Sequence, residues 1–147
     1  MSTLKEKLLG DPAKRPQLIT ECVELIDSEV GSKRGLSGLA VKAGFKVVKS
    51  VKPGFIRQVV DMLFDDFMAE VEPFYAKWDP ERSGRFSDAL VREKAAVATA
   101  LLNVTDRKAR NAQTRSVKKA YEKLRPKAME HVQDAVAGMG RVLDKHV

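Results

Sequence analysis

The sequence predicts an all-α fold, a single compact irregular bundle of five to seven helices forming one domain over residues 1–147. Three observations carry this. Apolar residues recur at spacings of three and four along nearly the whole chain, and no stretch sustains the two-residue alternation of a half-buried strand. No internal repeat, low-complexity tract or linker divides the chain into two domains. The chain has 147 residues, 44% hydrophobic and 32% charged, enough apolar mass for one core and too much for a disordered chain.

Thr3 and Glu6 have the spacing of a capping box, so a short first helix should run to Gly10. Asp11-Pro12 and Arg15-Pro16 make a turn. From Pro16, Leu18, Ile19, Cys22, Val23, Ile26 and Val30 line one face of a second helix closed by Gly31.

The stretch "KRGLSGLAVKAGFKVVKSVKPGF", residues 33–55, contains no acid. Leu36, Leu39, Ala40, Ala43, Val47 and Val51 fall on one side of a helix, Lys42, Lys46 and Lys49 on another. Its many small residues would let a neighbouring helix approach closely. Pro53-Gly54 ends it, because a residue before proline avoids helical angles.

The next helix, 54–72, should be central. Ile56, Val59, Val60, Leu63, Phe67 and Val71 form its apolar face, and seven of the nine aromatics lie between Phe55 and Phe86. Pro73 marks a kink or a new first turn. "DPERSGRFS" reads as a loop with Ser87 as the next N-cap and Phe86 with Val91 as a hydrophobic staple. An alanine-rich helix follows, and "NVTDR" either breaks it or is passed through. Pro126 marks a kink or a start, and Met129, Val132, Val136, Met139 and Leu143 give a last helix one apolar face.

The net charge of +7 is local. Residues 106–127, "DRKARNAQTRSVKKAYEKLRPK", hold nine Lys or Arg against two acids, and the rest of the chain is neutral with 18 of each sign. On a helical wheel Arg107, Lys108, Arg115, Lys118, Lys119, Lys123 and Arg125 occupy one side. Ala109, Val117, Ala120, Tyr121, Leu124 and Ala128 occupy the other. Such a ridge suits phosphates, since each one neutralised releases counterions. A solvated face that merely keeps the protein soluble is the plainer explanation. Lys42, Lys46 and Lys49 form a second basic stripe. Its lysines are expected to lie over packed aliphatics, and membrane association is disfavoured because the apolar side is mostly small residues.

The remaining chemistry-bearing residues point to no reaction. Asp61 and Asp65 are expected in solvent, and Asp66 with Glu70 makes at best half a metal site, with no Glu-x-x-His pair to complete it. Glu70 should instead find a basic partner. His131 and His146 have no neighbour suggesting a nucleophile, and Cys22, the sole cysteine, sits on an apolar face. No phosphate-cradling glycine loop is present. No catalytic residue, metal or cofactor is therefore expected. The single cysteine and the absence of an apolar signal core in "MSTLKEKLLGDPAKRP" favour the cytoplasm.

The expected function is that of a non-enzymatic interaction protein. It would contact a polyanion, foremost nucleic acid without sequence preference, through a basic amphipathic helix at 107–125. The alternative is a scaffold that binds a protein partner or forms a homo-oligomer, using the small-residue helix 36–52 or the C-terminal helix. Peripheral membrane attachment ranks third.

Overall fold

The first helix begins as its capping residues require: the Thr3 hydroxyl accepts the Glu6 N–H at 3.1 Å, and the Glu6 carboxylate accepts the Thr3 N–H at 3.3 Å. In the computed structural model, which describes residues 3–147, this is α1, Leu4–Leu9. It is followed by α2 (Lys14–Ser32), α3 (Gly35–Lys49), α4 (Phe55–Lys77), α5 (Phe86–Arg92), α6 (Lys94–Arg110) and α7 (Arg115–Asp144). The fold is all-α, with seven helices and no strand among the described residues.

Two long helices organise it. α4 packs against α1, α2, α3, α5 and α6, whereas α7 packs against α2, α3, α5 and α6. Centrality is thus shared between them. Both helices run through their prolines, Pro73 and Pro126. The core gathers Leu4 and Leu8 of α1, Leu18 and Ile19 of α2, Phe86 and Leu90 of α5, and Val136 and Leu143 of α7 around α4. Because α4 is covered on several sides, its buried arc includes Phe64 and Met68 as well as the expected Val60, Leu63 and Val71. Tyr75, Trp78 and Phe86 extend that core as a triad with ring centroids 5.4–5.9 Å apart.

Three local expectations are corrected. Ser87 is not an N-cap. Arg85 holds that position, and Ser87 is buried in the first turn, donating its N–H to the Asp144 carboxylate of α7 at 3.0 Å. "NVTDR" is passed through, and the helix instead ends at Arg110, where the Asn111 side-chain amide donates to the Arg107 carbonyl at 3.1 Å. The segment 107–125 is therefore two helix ends joined by a turn, not one helix.

The third correction concerns the rotation of α3. Its docking side carries Gly38, Val41, Gly44, Phe45 and Val48, all at least partly buried. A Cβ on Gly44 would stand 2.8 Å from Leu124 Cδ1, so glycine is what lets α7 approach this closely. The side expected to pack, with Leu36, Leu39, Ala40, Ala43 and Val47, faces outward. Room for the Leu124 side chain at Gly44 outweighs the burial of two leucines, and the aliphatic that Lys42 and Lys46 border, Leu39, is exposed rather than packed. Gly54, left-handed at φ 73°, follows Pro53 and turns the chain from α3 into α4.

Candidate polyanion interface

The basic segment is built from the C-terminal turns of α6 and the N-terminal half of α7. These two elements are fastened by one polar network. Arg125 grips Asp106 with two hydrogen bonds, Nε to Oδ1 at 2.9 Å and Nη2 to Oδ2 at 3.2 Å. The Tyr121 hydroxyl donates to Asp106 and lies 2.8 Å from the Thr105 hydroxyl. The Arg125 hydrogen bonds, and then that from Tyr121, hold the Asp106 carboxyl below the usual carboxylate range. Burial first, then the Asp106 bond, pushes the Tyr121 phenol up to about 12. Arg125 is thus a strut between helices rather than a free cation.

The other ridge residues divide in two. Arg107 and Lys108, on the last turns of α6, face α4, at 3.9 Å from Glu70 and 4.0 Å from Asp66. These long, half-exposed pairs contribute little stability, so both cations remain open to a stronger anion. They also account for Asp66 and Glu70, while Asp61 and Asp65 hold Arg15 at 2.9 and 3.1 Å. Arg115, Lys118, Lys119 and Lys123 are exposed on α7 and make no ion pair among the described residues.

The exposed arc follows from helical geometry. At 100° per residue, Lys118, Glu122, Arg115, Lys119 and Lys123 follow one another around the outer side of α7, with Glu122 the one acid among them. Ala120, Leu124 and Tyr121 face inward. Lys127 continues the row, and Arg115 to Lys127 spans about 18 Å at 1.5 Å per residue. That length matches about five phosphate repeats at 3.4 Å per strand. Where α6 meets α7, an open cleft of about 510 Å³ brings Arg110 and Lys118 beside the Asp106–Arg125 pair and Tyr121.

The second stripe behaves differently. Lys49 lies 3.9 Å from Asp27 and 5.3 Å from the centre of the Phe45 ring. Lys42 and Lys46 are exposed, with no ion pair among the described residues. Elsewhere, burial pushes the Cys22 thiol up to about 11, which leaves it a poor nucleophile near neutrality. His146 Nε2 lies 3.2 Å from the Glu21 carboxylate. Both ring nitrogens of His131 are buried without a hydrogen-bond partner.

The Asp106–Tyr121–Arg125 network was not anticipated from sequence. Tyr121 and Arg125 are one turn apart, and Asp106 is one of only two acids in the basic segment, which was the available signal. The fold defines the class, an all-α helical bundle. The chain belongs to a family of unknown function, DUF6918, whose model matches residues 4–147. Comparison with curated proteins and with solved structures finds no match.

Proposed function

We propose that this protein acts by contact rather than catalysis, binding the phosphate backbone of nucleic acid without reading its sequence. The observation that supports this best is the arc Arg115, Lys118, Lys119 and Lys123, four exposed cations on one side of α7 without an internal partner. A solubilising face needs no such concentration, and like charges a turn apart repel. An incoming run of phosphates removes that repulsion and releases counterions.

Indifference to sequence follows from the neighbourhood. The aromatic nearest the arc, Tyr121, lines the cleft, half-buried and held by its hydroxyl to Asp106 and Thr105. A single ring so held makes no row on which successive bases could stack. Lysines and arginines on a convex helix contact phosphates, and phosphate contacts position without specifying. The lone, partly buried Cys22 fits a reducing compartment, and the cytoplasm is the place this reading assigns. No helix among the described residues is long and apolar enough to cross a membrane.

The scaffold alternative has less support on the C-terminal helix. The face carrying Met129, Val132, Val136, Met139 and Leu143 is turned into the bundle.

The test is fluorescence anisotropy with short duplexes of two unrelated sequences at low salt. Reversing Arg115, Lys118 and Lys119 to Glu should leave the helical content intact, because all three are exposed. It should weaken binding of both duplexes by roughly tenfold or more. Reversing Lys42, Lys46 and Lys49 should matter less. Wild-type binding by the first variant would overturn the reading.

A further inference from the structure

α3 turns an apolar stripe to the outside. Leu36 is 87% exposed, Leu39 64% and Val47 39%, and Ala40 and Ala43 between them are exposed too. On a helical wheel these five fall within about 100°, on the side away from Val41 and Phe45, which enter the bundle. Lys42 and Lys46 border the stripe beside Leu39, with Lys49 beyond them. No Asp or Glu occurs anywhere from residue 30 to residue 60.

We infer that α3 docks on an anionic lipid surface, its leucine stripe entering the headgroup–acyl boundary and Lys42, Lys46 and Lys49 meeting the lipid phosphates. A helix with an outward apolar stripe edged by lysines has the pattern of an interfacial helix. The charge is complementary to a surface of one sign, since α3 offers cations and no anion. A second copy is a poorer occupant. Two α3 helices packed on this stripe would set Lys42 and Lys46 against their copies, and neither has an acid partner among the described residues. The stripe is also small for a stable dimer: a helix about 22 Å long and 10 Å wide covers about 220 Å², against about 800 Å² per partner in a standard interface. A lipid surface needs no such area, because headgroup charge adds to the apolar insertion. This inference stands apart from the nucleic-acid reading, which concerns other residues on α7.

Flotation tests it, using nuclease-treated full-length protein and two sets of vesicles. One is phosphatidylcholine alone, the other phosphatidylcholine with a third of phosphatidylglycerol. The protein should float with the anionic vesicles and not with the neutral ones. Leu36→Ala with Leu39→Ala should weaken that partition by about tenfold or more without changing charge, and both sites are exposed, so the fold should persist. Reversing Lys42, Lys46 and Lys49 to Glu should weaken it by about a hundredfold. Three results would overturn the inference. One is no enrichment on anionic vesicles. Another is a leucine variant that floats like wild type, which would leave only general electrostatic adhesion. The third is a wild-type dimer in sedimentation that the leucine variant converts to monomer, which would assign the stripe to a second copy.

Discussion

Alanine placed at two helical glycines should shift stability in opposite directions. Gly140 of α7 lies against α5. A Cβ there would stand 2.7 Å from both Cα and Cβ of Ser87, whereas ordinary contact begins at 3.4 Å. Backbone cannot rotate away as a side-chain tip can, so α5 must retreat by about 0.7 Å to restore ordinary contact. It is also tied in place by the Ser87 N–H bond to Asp144 at 3.0 Å. Overpacking against backbone falls in the upper part of the usual range, about 2–3 kcal/mol, against a helix-propensity gain of about 1 kcal/mol, so Gly140→Ala should lose about 1–2 kcal/mol. At this chain length that corresponds to a melting temperature lower by about 3–6 °C. Gly31 of α2 is helical and exposed, and a Cβ there meets nothing within 4 Å. Lying near the helix end, Gly31→Ala should gain about 0.5 kcal/mol from propensity alone. Urea unfolding followed by circular dichroism measures both. If Gly140→Ala proved as stable as wild type, the close packing of α5 on α7 would be refuted.

Two further outcomes follow from the titrating groups. Arg125 holds the Asp106 carboxyl below its ordinary range, so the folded state binds fewer protons there than the unfolded chain. That stabilisation is complete above about pH 4 and is lost as pH falls through the lowered pKa. Asp106→Asn should therefore lower the urea midpoint at neutral pH, with the deficit shrinking in strong acid. A deficit independent of pH would contradict the assignment. The Cys22 thiol, pushed up to about 11, should react with iodoacetamide far more slowly in the native protein at pH 8 than in urea. Equal rates would place Cys22 outside the packed face of α2.

Much of the fold was legible in the sequence, because periodicity and local capping are properties of neighbouring residues. The α1 capping box, the heavy apolar content of α4 and the local concentration of charge all needed only short-range reasoning. The rotation of α3 did not yield to it. A wheel ranks faces by hydrophobicity, and α3 docks instead by shape, where Gly44 admits Leu124. Ser87 failed similarly: its N–H partner, Asp144, lies 57 residues away. At the break over 111–114 the Asn111 side-chain amide returns to the Arg107 carbonyl, a contact that periodicity does not reveal.

The candidate site was legible as charge and not as geometry. All seven ridge residues looked alike on a wheel. Arg125 became a strut because Asp106 reaches it across the turn, and Arg107 and Lys108 acquired partners on α4. Arg115, Lys118, Lys119 and Lys123 are the part of the ridge left unpaired, and tertiary contacts alone select them.

The salt dependence of binding to duplex DNA is the most direct measure of whether that arc meets phosphate. Four contacted phosphates should give log K against log salt a slope of about −3.6, the same on unrelated sequences, and the triple reversal of Arg115, Lys118 and Lys119 should reduce it to about −0.9. A wild-type slope near zero, or a steep slope that survives the triple reversal, would contradict polyanion binding through α7.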